Sequence, residues 1–142
     1  MNSDYLKTLL FLSGVAHLLL GTASLIIPKL LQWNKELNRL PLLLKQLFWT
    51  YAAYILVINC CFGLVSVFGT AELLDHSFLA KCMTFFIAIY WFARVLIQFF
   101  YFDTSQAPQG FWYKSGEMAL VVLFISFTGI YFLAFLYNHT WI

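Results

Sequence analysis

Chemistry in this chain would begin at Arg94. It is the single charge inside FFIAIYWFARVLIQFFYF, residues 85–102, a run otherwise apolar enough to cross a bilayer. A mid-span arginine costs roughly 2.5 to 3.5 kcal/mol on insertion scales, so its guanidinium is expected to face protein or to bend toward a headgroup layer. Gln98 lies one helical turn further along the same face, Tyr90 and Trp91 one turn before it, and Tyr101 two turns after it. Glu117, near the start of the last apolar run, is the natural ionic partner, because burying one charge of such a pair without the other is expensive. The pair with Gln98 could lock two antiparallel helices in register, or it could face a polar headgroup or quinone.

His17 is the one histidine placed deep in an apolar run, and its ordinary pKa near 6.5 suits proton handling. A ring hydrogen-bonded to a neighbouring helix, at Asn59 or Tyr54, is the plainer expectation. Gly14, His17, Gly21 and Ser24 recur at spacings of three and four, a stripe that lets another helix or a partner approach closely. His17, Arg94, Gln98, Glu117, Asn59 and Tyr54 are therefore the expected buried polar cluster.

Several chemistries lack their residues. The cysteines Cys60, Cys61 and Cys82 form no CxxC pair. No H-E-x-x-H motif or Cys/His cluster suggests zinc, no G-x-S-x-G elbow a nucleophile, and no glycine-rich loop a phosphate. Haem would need an axial histidine at depth, and nothing in the sequence asks for a pair of His17 residues across a dimer. No cofactor is named by the sequence. A net charge of +2, scattered along the chain, gives no footprint for nucleic acid.

The elements that must position these residues follow from composition. Of 142 residues 63% are hydrophobic and 10% charged, with mean hydropathy +0.83, which leaves too little polar surface to cover a water-soluble globule. The reading is an all-α integral membrane four-helix bundle in one domain, with spans over about 5–27, 46–68, 79–102 and 111–137. The first run lacks the basic start and small-residue cleavage site of a signal peptide and is read as a retained helix. Between the first two spans Leu30, Trp33, Leu37 and Leu40 fall on one face and Lys29, Gln32, Lys35, Glu36 and Arg39 on another, so one amphipathic helix over 29–40 is expected at the membrane surface. Pro41 ends it. GTAELLDHS, residues 69–77, reads as an acidic connection, DTSQAPQG, residues 103–110, as a turn, and Phe111, Trp112 and Tyr113 as an aromatic belt.

Lys29, Lys35, Arg39 and Lys45 in one connection, and Lys114 in another, outweigh Lys7 and Lys81. Loops 28–45 and 103–115 are therefore expected on the cytoplasmic side and both termini outside, in a bacterial inner membrane. The sequon Asn138-His139-Thr140 falls so near the end of the fourth span that it reads as chance. Counted at about 1.5 Å per residue from the cytoplasmic ends, Gln98 and Glu117 lie within roughly 10 Å, Arg94 at about 12 Å and His17 at about 15 Å, close enough to meet.

The run ARVLIQFFYF resembles the end of one helix in the membrane-associated enzymes of eicosanoid and glutathione metabolism, four-helix proteins of about this length. Those enzymes carry acidic and basic residues in their second helix, whereas no charge lies between Gln46 and Phe68 here. The positions that bind glutathione have no counterpart, and no role is carried over. The expected role is a small accessory or interaction subunit of a membrane complex, whose partners are lipids, other membrane subunits or a second copy of the chain. The alternative is a protein that binds a lipid or quinone, or acts on one, through the polar cluster.

Overall fold

A computed structural model describes residues 3–30, 32–101 and 111–139, with only the backbone of Glu36 and residues 111–113. The expected turn over 103–110, the side chains of the aromatic belt, and Thr140 lie outside the described residues. The chain is all-helical, with no strand among the described residues: α1 Ser3–Ser24, α2 Ile27–Leu30, α3 Trp33–Leu37, α4 Leu42–Phe68, a 3-10 turn Glu72–Leu74, α5 Phe78–Phe100 and α6 Phe111–Asn138. Four segments, Ser3–Leu30, Leu42–Phe68, Phe78–Phe100 and Lys114–Asn138, are long and apolar enough to cross a membrane. Two compact units result. Met1–Leu10 with Ala71–Ile142 form one, and Phe11–Thr70 the other.

In the unit of α5 and α6, the two helices meet along paired stripes. Ala80, Thr84, Ile87, Ala88 and Trp91 are buried on α5, and Phe124, Phe127, Tyr131 and Ala134 on α6, each set at the three-to-four spacing of a helix face. Trp91 stacks on Phe124 with ring centroids 4.9 Å apart and leans on Phe127 at the same distance, so the tryptophan one turn before Arg94 is an interhelical wedge. α5 starts where Ser77 caps it, the hydroxyl accepting from the Ala80 amide at 3.0 Å. The connection before it is more than an acidic loop. Leu73 and Leu74 are buried, His76 adopts φ 61°, and Asn138 ties the turn to the end of α6.

In the other unit α1 and α4 approach through glycine. A Cβ added at Gly14 would lie 2.9 Å from both the Gly63 carbonyl oxygen and the Val67 nitrogen, and one added at Gly63 would strike Leu18 at 2.8 Å. The small-residue stripe of α1 is therefore filled by α4 of the same chain, which removes it as a docking face for a partner. Its complement, Gly63, sits in α4, and the pairing of two separated glycines is what one stripe alone does not disclose.

The surface-lying helix expected over 29–40 is not one helix. It divides into α2 and α3, because Gln32 takes φ 49°, a left-handed backbone that no helix continues through. Leu37 is buried and Trp33 half-buried, while Leu30 and Leu40 stay exposed, so the apolar face is only partly used. Trp33 packs edge-on against Phe48 and Trp49, with centroids at 5.0 and 6.2 Å. α4 begins at Leu42, four residues before the expected Gln46, because Pro41, extended at ψ 145°, caps it and its carbonyl accepts the Lys45 amide.

Candidate functional sites in the apolar helices

The α5–α6 pair brings three of the expected residues together. Arg94 Nη1 donates to Gln98 Oε1 at 3.2 Å, and Gln98 Nε2 donates to Glu117 Oε1 at 3.0 Å. Gln98 thus relays between the cation on α5 and the carboxylate on α6, using its acceptor and its donor at once. The helix spacing makes this possible, since residues four apart stack on one face while Glu117 enters from the neighbouring helix. The Arg94 guanidinium carbon also lies 5.1 Å from the centroid of the Phe124 ring, the ring already stacked on Trp91. All three polar side chains remain only half-buried. Tyr101, expected on the same face, follows the last residue of α5 and is exposed.

The same helix pair carries an apolar groove of about 420 Å³, between Phe85, Ala88, Ile89 and Phe92 on α5 and Thr128, Gly129 and Phe132 on α6. Its one hydroxyl is turned away. Thr128 Oγ1 donates to the Phe124 carbonyl at 2.9 Å and leaves a methyl group toward the groove. Gly129 would meet nothing within 4 Å if it carried a Cβ, so the groove's floor is open there.

In the α1–α4 unit, His17 is completely buried, and its Nδ1–H donates to the Ser13 carbonyl one turn earlier at 2.7 Å. That bond assigns the proton of the neutral ring to Nδ1 and leaves Nε2 as the acceptor nitrogen. The Phe62 ring stands edge-on to it at 6.1 Å. Asn59, one turn from Phe62, is 6% exposed and Ser13 is 3% exposed, yet Asn59 Oδ1 and Ser13 Oγ have no hydrogen-bond partner among the described residues. Tyr54 does not belong to this group. Five residues before Asn59, it points about 140° away around α4 and is 63% exposed.

A third polar constellation was not anticipated. The Asn138 side chain is fully buried, donates from Nδ2 to the Leu73 carbonyl at 2.7 Å, and accepts at Oδ1 from the His76 amide at 3.1 Å. His76 Nδ1–H donates to the Asn138 carbonyl at 3.3 Å, and its ring lies 4.9 Å from that of Tyr137. The sequon asparagine is thus a structural clasp whose amide nitrogen is already engaged. A signal for it was present: Phe124, Phe127, Tyr131, Ala134 and Asn138 continue one helix face. The chain matches no family model, no curated protein and no solved structure.

Proposed function

We propose that the chain is a single transmembrane domain, its four long helices crossing a bacterial inner membrane with loops 28–45 and 103–115 on the cytoplasmic side, and that it serves as a small accessory or interaction subunit of a larger membrane complex. One observation carries the reading. Arg94, Gln98 and Glu117 are joined across α5 and α6 but stay half-buried, with Arg94 six residues, or about 9 Å, from the end of α5. In hydrocarbon the open side of such a group calls for polar or protein cover, and an adjoining helix supplies it with less distortion of the bilayer than a water defect. Because α4 already fills the glycine stripe of α1, the face offered to a partner is the Phe-rich side of α5 and α6. A photoreactive residue in place of the exposed Ile97, beside Arg94, tests this in native membranes. A single protein adduct of fixed mass, lost with Arg94→Leu, is expected. Lipid adducts alone, with a lone chain surviving gentle extraction, would refute it.

The groove between Phe85 and Phe132 supports a second reading, in which the protein binds the tail of one lipid or quinone or acts on it as a membrane-embedded enzyme. Native mass spectrometry separates the two. A bound lipid or quinone that disappears with Gly129→Leu, while the helical spectrum is kept, would favour the groove over the partner.

A further inference from the structure

The charges between α1 and α4 have a place in the structure that their order in the chain does not give. Residues 28–45 carry Lys29, Lys35, Arg39 and Lys45 against a single acid, Glu36. Trp33 meets Phe48 and Trp49, and further along Asn38 meets Lys45, so α3 and the residues after it retrace the first turns of α4 in the opposite direction. Tryptophan gathers at the edge of hydrocarbon, its ring apolar and its N–H wet. Lys35 and Arg39 follow Trp33 toward the turn at Pro41, and Lys45 precedes Trp49 by one helical turn, about 6 Å. All three therefore lie beyond the aromatic cluster, on its headgroup side. Lys29, a few residues before Trp33, has a stem long enough to reach the same level.

Lys29, Lys35 and Arg39 are exposed, and Lys45 is held in place. Its Nζ donates to Asn38 Oδ1 at 2.5 Å, which takes one ammonium proton of three and fixes the charge beside the turn. The same turn is rich in uncovered leucine: Leu40, Leu42, Leu43 and Leu44 are between 43% and 71% exposed. Whatever docks here must meet several cations and cover apolar side chains as well. A free phosphate or an acidic soluble protein meets the charges and leaves leucines in water. A phospholipid with an acidic headgroup does both, its phosphate among the cations and its acyl chains against the leucines.

We infer that this end of the α1–α4 unit is a docking surface for the acidic phospholipids of one membrane leaflet, an inference that rests on the reading that α1 and α4 cross a bilayer. The test uses the full chain in vesicles of equimolar phosphatidylcholine and phosphatidylglycerol, with trace spin-labelled lipid of either kind. Electron paramagnetic resonance reads the fraction of each lipid held at the protein. Phosphatidylglycerol is expected to be favoured about threefold or more at low salt, and the preference to fall toward one in molar salt. Lys29→Gln, Lys35→Gln and Arg39→Gln combined are expected to lose most of it, whereas Lys7→Gln with Lys81→Gln, in the first turns of α1 and α5, keeps it. The salt series on the unaltered chain decides the matter should the triple variant fold poorly. Equal retention of the two lipids by the unaltered chain, or a preference that survives the triple variant, overturns the proposal alone. A chain that alkaline carbonate washes from the vesicles refutes the spanning reading, and the proposal with it.

Discussion

Replacing each glycine by alanine tests the α1–α4 packing with a sign change. In a helix interior alanine is favoured over glycine by about 1 kcal/mol, so an unobstructed substitution stabilises by up to that amount. Gly129 and Gly116 are unobstructed, since an added Cβ meets nothing within 4 Å at either. At Gly14 the new atom would lie 2.8 Å from Val67 Cγ2 and 2.9 Å from two backbone atoms of α4. Backbone cannot rotate aside as a side chain can, so the helices must separate. Forcing an extra methyl into a close-packed interface costs about 1 to 3 kcal/mol, and contact with backbone places Gly14 at the upper end. Less the propensity gain, Gly14→Ala is expected to lose about 2 kcal/mol, some 3 kcal/mol below Gly129→Ala. Gly21 faces the Cys60 Sγ at 3.3 Å and Leu56 Cδ1 at 3.6 Å, side-chain atoms that can give way, and is expected near zero. Gly63, opposed by the end of Leu18 and by the Gly14 carbonyl at 3.1 Å, falls between Gly21 and Gly14. Reversible unfolding in mixed micelles gives the ranking. A Gly14→Ala as well tolerated as Gly129→Ala would refute the close approach of α1 and α4.

The other interactions are separately accessible. Gln98→Leu removes the link between Arg94 and Glu117 and leaves both half-buried without it, so a loss of about 1 to 3 kcal/mol is expected by the same unfolding assay. Asn138→Ala strands the Leu73 carbonyl and the His76 amide, and is expected to cost about 2 kcal/mol or more and to speed amide exchange across the Glu72–Leu74 turn ahead of the rest of the chain. Donation from the Ser77 hydroxyl and amide holds the exposed Asp75 carboxyl below its ordinary 3.8. A carboxylate pKa depressed by folding stabilises at pH above the unfolded value and stops doing so as pH falls through the folded one. Melting temperature followed from pH 6 to pH 3 should therefore show a downward step below about pH 4 that Asp75→Asn lacks.

Some features could be read from residue order because they depend on neighbours a few positions away. Long apolar runs between polar breaks foretell four helices, and Arg94 and Gln98 share a face by spacing alone. Glu117 joins them because the first turns of one helix stand beside the last turns of the helix before it. The Gly14 stripe is visible in the sequence, but that Gly63 on α4 fills it is not, and Trp91 takes its role only from Phe124 on α6. The break at Gln32 had no local mark, since neither glycine nor asparagine stands there and the amphipathic pattern runs through it. Tyr54 was misplaced for a simpler reason. Its type suggested a partner for His17, while the rotation between it and Asn59 turned it outward. Asn138 shares a helix face with Phe124, Phe127, Tyr131 and Ala134, which marks it for burial, but its partners Leu73 and His76 lie more than 60 positions away and spacing does not name them.

Polar groups in these apolar helices divide by where their hydrogen bonds go, and the division bears on function. A threonine such as Thr84, buried but bonded to the Ala80 carbonyl of its own helix, is satisfied before any tertiary contact forms, so it contributes little to which helices pair. Gln98 and Asn138 are satisfied only when a second element arrives, and therefore select one arrangement over alternatives that bury the same apolar area. Ser13 and Asn59 belong to neither class, although their burial is as complete. Apolar residues of similar size would pack at both positions without leaving an unmatched oxygen. Among the described residues, their presence beside a buried histidine, in the helix pair closed by Gly14 and Gly63, is polarity that folding alone does not explain.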